Sequence, residues 1–294
     1  MLTCGFPGLS TYAALAWALV SLGYGIGLAL HRLPLPGGHG SSWGGHLISY
    51  ALVSAGVLAV LGSANAFNTI VSMVQSSLGP IKWDPDIKSV EDIPKACESL
   101  PVVYQNLGAK AFLLLSTIVG IGMGAAIIPV VGPALANVFS VVASFPGLAL
   151  SVTLITAYTL MVFLTVFGSL AVVLAPAGVA LMAVPAGKLK GIGAWFIAAG
   201  ITFVAAGPYI PQAGLLACSV GGTEQCTMAD VTNFNDPVGD LFSFVNWLFD
   251  PNNNTIMKMW RFALGSLAGW GILLAASAAL SKGIGGVAAS LGFG

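Results

Sequence analysis

Apolar positions in this chain come in long unbroken runs rather than in stripes. Residues 111–187 contain no Asp, Glu, Lys or Arg, several times the ~20 residues that one membrane helix needs. The runs are apolar on every face and lack the period-two alternation of barrel strands. A helix satisfies its backbone hydrogen bonds internally, so apolar runs of this kind predict helices. The chain is therefore expected to be all-α: a polytopic transmembrane helix bundle forming a single integral membrane domain over residues 1–294. Helices are predicted at 9–30, 46–75, 109–128, 134–148, 149–173, 192–215 and 256–281. Pro129, Pro133 and Pro146 interrupt the middle of this series. Proline removes a backbone donor and kinks or ends a helix, so a broken helix or re-entrant hairpin there leaves the count at six or seven crossings.

Composition agrees with the pattern. Hydrophobic residues make up 57% of the chain and charged residues 7%, against roughly 25% charged in a soluble domain. No basic residue precedes the first apolar run, so that run is read as a retained helix rather than a secretory leader. Net charge is zero, and what informs is where the charges lie. All ten acids fall in two segments, Asp84 to Glu98 and Glu224 to Asp250, which predicts two ordered external loops, 77–107 and 219–253. Within the second, Asp236 and Pro237 form a favourable cap and first turn. Val238, Leu241, Phe242, Val245, Leu248 and Phe249 follow at helical spacing, beside Trp247, and predict a short amphipathic helix on the outer face or on the bundle.

Three of the four cysteines, Cys97, Cys218 and Cys226, share these loops, which suits an oxidising exterior. Cys218 and Cys226 bracket a short Gly-containing loop that a disulfide would close, and Cys4 would pair with Cys97 if the N-terminus is also outside. Spacing alone fixes neither pairing nor redox state. Arg32, Lys188, Lys190 and Lys282 have no acid near them in sequence. Short basic loops stay cytoplasmic, so the N-terminus is expected outside the cell membrane and the C-terminus in the cytoplasm. Lys110, Lys258 and Arg261 are expected at helix ends on the outer side.

The residues supply no catalytic constellation, so the chain is read as not an enzyme. No acid lies in any predicted membrane helix, which argues against an intramembrane aspartyl protease and against a coupled transporter, whose membrane segments carry ionisable groups. His31, His39 and His46 surround a Gly-rich loop without a carboxylate or thiol, a weak ligand set. No cofactor is expected. Asn65, Asn68 and Gln75 are read as packing groups between helices. Gly120, Gly122, Gly124, Gly265 and Gly269 permit close helix approach, within the chain or between subunits. The glycosylation pattern at Asn253 lies against a predicted membrane helix and is read as incidental.

One stretch carries a family pattern. After an apolar helix come Pro176, the apolar VALMAV, Pro185 with small residues, the basic pair Lys188 and Lys190, then Gly191 and Trp195 leading into another helix. This resembles the central segment of the polytopic inner-membrane subunit of type IV secretion and conjugation systems, and of the CedA-like archaeal proteins of DNA import. The resemblance touches Pro176, Pro185, Lys188, Lys190, Gly191 and Trp195, with lysines where that family often has arginines. It implies a non-enzymatic channel or scaffold subunit in the lipid bilayer, DNA as cargo, a homo-oligomer, a small pilin-like membrane partner and a separate ATPase. From another class, a stand-alone small-solute transporter or channel remains open, as does a scaffold with no conduit.

Overall fold

The computed structural model describes residues 9–32, 39–62, 64–84, 86, 92–127, 132–182, 187–219, 226–232 and 255–288. Among them the regular structure is helical, with no strand. In chain order the helices are α1 (Leu9–Arg32), α2 (His39–Gly62), α3 (Ala64–Leu78), α4 (Ile93–Ala126), α5 (Gly132–Met182), α6 (Gly187–Ala206), α7 (Ile210–Ser219), α8 (Met228–Thr232) and α9 (Thr255–Ala288). A 3₁₀ turn, Gly207–Tyr209, joins α6 to α7. Among the described residues five stretches are long and apolar enough to cross a membrane: Ala14–Arg32, Glu98–Gly124, Ala143–Ala171, Gly191–Ser219 and Thr255–Gly285. The chain is built as a multi-pass membrane protein.

Four boundaries differ from the sequence reading. The runs expected at 134–148 and 149–173 are one 51-residue helix, α5, with Pro146 and Pro176 inside it. A membrane helix tolerates proline where the freed backbone is buried in protein, and Pro146 and Pro176 are both buried within the bundle. At 1.5 Å per residue α5 is about 77 Å long, more than twice the ~30 Å hydrocarbon core, so it either extends beyond the bilayer or lies strongly tilted.

The helix expected from residue 109 begins at Ile93, so most of the second half of the loop expected at 77–107 is the continuation of a membrane helix. The run expected at 46–75 divides into α2 and α3 at residue 63. The helix expected at 192–215 breaks at Gly207–Tyr209, where Pro208 and Pro211 withdraw two donors. That break is used: the Trp83 indole N–H donates to the Pro208 carbonyl at 2.6 Å, the Tyr209 hydroxyl to the Gly79 carbonyl at 2.9 Å, and the Lys82 amide to Gln212 Oε1 at 3.2 Å. Residues 79–83 are thereby seated on the kink.

Neighbouring helices form antiparallel pairs whose spacing is set by small residues. Gly108 of α4 faces the ring of Tyr158 on α5, where an added Cβ would stand at 3.2 Å. Gly265 and Gly269 of α9 lie against Ala213, Gly214 and Ala217 of α7, so these two glycines serve packing within the chain. The main core joins α4, α5, α6, α7 and α9, with Leu100, Tyr104, Leu160, Phe203 and Phe262 buried. Trp270 meets Phe167 and Phe203 there edge to face, Phe167 and Trp270 with centroids 5.3 Å apart. In a second cluster Ala16 and Val20 of α1 and Ala51 and Leu58 of α2 pack on Val179 and Met182 of α5 and Ala194 and Ile197 of α6. Outward faces carry Leu15, Val141, Ile155 and Ile272 exposed, a surface suited to acyl chains.

Candidate functional site

The α5–α6 hairpin carries the segment that the sequence singled out. Its two arms touch backbone to backbone. A Cβ on Gly178 would stand 2.5 Å from the Gly193 carbonyl oxygen, and one on Gly193 equally close to the Gly178 carbonyl. Seven residues further from the turn on each arm, a Cβ on Gly200 would lie 3.2 Å from the Ala171 carbonyl and 3.3 Å from the Ala175 nitrogen. Both positions pair across one antiparallel register of α5 and α6, and α1 and α2 pack on that pair.

Pro176 is buried within α5. Pro185 lies outside the described residues. Lys188 and Lys190 occupy the first turn of α6, and Gly191 follows on an exposed face with open space around it. Trp195 is half-buried, its ring 5.8 Å from that of Phe196. The glycine that brings the helices together is thus Gly193, not Gly191. Gly178 and Gly193 stand nearly equidistant from Pro185 in the sequence, but only the packing shows that they meet. Basic residues in a first turn oppose the positive end of the helix dipole, at roughly 0.3–1 kcal/mol each, so helix stability does not account for the lysine pair.

A second cluster lies where α4, α8 and α9 meet. Lys110 is not at a helix end: it is the eighteenth residue of α4 and only 2% exposed. Its ammonium donates to the Asp230 carbonyl at 3.4 Å, while Lys258 Nζ lies 4.0 Å from the Asp230 carboxylate. Lys258 and Arg261 do stand in the first turns of α9, as expected. Residues 227–230, Thr-Met-Ala-Asp, form a capping box: the Thr227 amide donates to Asp230 Oδ2 at 2.8 Å, and the Asp230 amide reaches back to Thr227 Oγ1 at 3.4 Å. Partial burial raises the Asp230 carboxyl, but the Thr227 hydrogen bonds and the charges of Lys258 and Lys110 outweigh it and hold the group below its ordinary value. A disulfide joins Cys218 at the end of α7 to Cys226 before α8, with Cα atoms 5.8 Å apart. The [ST]-x-x-[DE] pattern marked this cap in sequence; the burial of Lys110 had no local signal.

The pairing expected for Cys4 and Cys97 and the amphipathic helix expected at 236–249 lie outside the described residues, as does Asn253; Cys97 is described only as backbone in α4. The side chains of Asn65 and Asn68 are likewise outside them, and Gln75 is half-buried. His31 is exposed at the end of α1 and His46 stacks on Tyr50 at 6.2 Å. Among the described residues no three His, Cys, Asp or Glu side chains gather as metal ligands.

The chain matches no protein-family model, no curated protein and no solved structure. Function is accordingly argued from its own residues.

Proposed function

We propose that this protein is a non-enzymatic, oligomeric membrane subunit of a conjugation-like DNA-import machine. It works beside a separate ATPase and a small pilin-like membrane protein, with its N-terminus outside and its C-terminus in the cytoplasm. The observation that carries this reading is the Pro176–Trp195 segment. Its family resemblance is joined to a hairpin clamped at Gly178 and Gly193, and to two lysines held at a helix start where the dipole disfavours them. On the cytoplasmic side, one pair of lysines is too little charge to hold nucleic acid. Several copies in a ring raise the local potential and contact phosphate in a salt-dependent way.

The test replaces Lys188 and Lys190 with glutamine and measures DNA uptake in cells with unchanged protein levels. The reading expects uptake to fall and to depend less steeply on salt than in the parent; uptake equal to the parent removes the DNA-guiding role.

A second reading, a small-solute transporter, is favoured by one observation: Lys110 is an ionisable group buried in a membrane-length apolar helix. The two readings separate on Lys110→Met. A transporter that uses this charge loses its pH-dependent flux in proteoliposomes, whereas a DNA-import subunit with Lys110 in a structural role keeps uptake if the variant folds.

A further inference from the structure

Beside the second cluster, a cavity of about 300 Å³ opens between α4, the 83–84 segment and α8, at the small end of the range for ligand pockets. Its polar lining is Asp84, Ser99, Asn106 and Thr232, and its apolar wall is Trp83, Val102, Val103 and Met228. The chemistry of that lining is one-sided. The Ser99 hydroxyl spends its proton on the Ala96 carbonyl at 3.0 Å and the Thr232 hydroxyl on the Met228 carbonyl at 2.8 Å, so both offer lone pairs to the cavity. Asp84 is an acceptor only, with one oxygen receiving the Asp86 amide at 3.1 Å. The Trp83 indole N–H is committed to Pro208. Asn106 alone retains side-chain donors, and its amide also supplies an acceptor. One helical turn beyond it, Lys110 directs its ammonium to the Asp230 carbonyl on α8.

We propose that this cavity binds a small organic cation: a primary ammonium carried on a short apolar tail. The ammonium is received by the Asp84 carboxylate and the Ser99 and Thr232 oxygens, and the tail lies on Val102, Val103 and Met228. An ammonium brings three donors and no acceptor, which complements a lining whose own hydroxyl protons are spent. An anion of the same size meets a carboxylate with few donors to offset it. This site is independent of the DNA-import reading and stands or falls without it.

The experiment titrates butylammonium into the full-length protein in lipid nanodiscs by calorimetry, with butanol and butanoate as controls of equal length. The proposal expects saturable butylammonium binding that weakens as salt is added, and no saturable binding of either control. Asp84→Asn weakens it by about tenfold or more. Val102→Phe, made at a half-exposed position, fills the cavity and weakens it similarly without disturbing the core, so it decides the matter even if Asp84→Asn fails to fold. Absence of saturation into the tens of millimolar, butanol or butanoate binding as tightly, or butylammonium affinity unchanged in Val102→Phe overturns the proposal.

Discussion

Single residues act here through what surrounds them, and glycines of equal appearance have unequal roles. Gly178 and Gly193 face each other's carbonyl oxygens at 2.5 Å from a notional Cβ, whereas Gly120 and Gly124 meet open space. Backbone cannot swing aside as a side chain can, so Gly178→Ala or Gly193→Ala is expected to destabilise by about 1–3 kcal/mol. Gly120→Ala stays within about 0.5 kcal/mol of the parent. Thermal unfolding in detergent of the three variants checks this, and equal midpoints for all three would remove the close crossing.

Asp230 gives a pH prediction. Its folded-state value is depressed by Thr227, Lys258 and Lys110, so its stabilisation is present above the ordinary carboxylate value of 3.8 and is lost as pH falls through the lower folded value. The carboxylate is about a third exposed, which keeps the effect small. Proteolysis near α8 should rise as pH drops below about 3.8. In Asp230→Asn that step should disappear and cleavage should already be raised at neutral pH.

At the scale of elements, α8 is five residues long and too short to persist as an isolated helix. It is held by its capping box, by Lys110 and Lys258, and by the Cys218–Cys226 disulfide. Closing so short a loop is worth about 2–3 kcal/mol in the chain-entropy account. Cys218→Ser with Cys226→Ser is therefore expected to leave the long helices folded by circular dichroism while amide exchange in residues 226–232 accelerates. Unchanged exchange there would show that the ion cluster suffices. The kink between α6 and α7 follows the same logic: Pro211 has no N–H to give the Pro208 carbonyl in the 3₁₀ turn, and the Trp83 indole donates to that carbonyl instead. Trp83→Phe keeps the apolar bulk but loses that hydrogen bond, and should cost about 1 kcal/mol in thermal unfolding.

For the molecule as a whole, α1 and α2 pack on each other and on α5 and α6 through Val179, Met182, Ala194 and Ile197, and the faces turned away carry exposed Leu15, Trp17, Leu22 and Trp43. In the proposed oligomer these faces meet either lipid or a second copy. Native mass measurement of the complex released from membranes distinguishes them: the proposal expects a defined multiple of the 29.8 kDa chain, with the small membrane partner attached. A monomer alone at every detergent concentration counts against it. The proposed orientation expects a membrane-impermeant thiol reagent, applied from outside under reducing conditions, to label Cys226; labelling only after the cells are opened would invert the topology.

Sequence by itself determined the class of structure. A run of 77 uncharged residues from 111 to 187 leaves helices in a bilayer as the solution that satisfies the backbone. Two cysteines bracketing a short loop suggested Cys218–Cys226, because closure there is local, and the fold brings the pair together. Helix ends were less legible. Pro146 reads as a break, yet it and Pro176 sit buried inside α5, while Pro208 and Pro211 produce the actual kink. The same residue type gave opposite outcomes because the decision lay with partners far away in sequence. Tertiary structure alone decided that Gly193 is the contact glycine and that Lys110, whose helix begins at Ile93, lies buried against a carbonyl 120 residues away. Local periodicity carries which face of a helix is apolar; it carries nothing about which distant backbone atom will come to meet it.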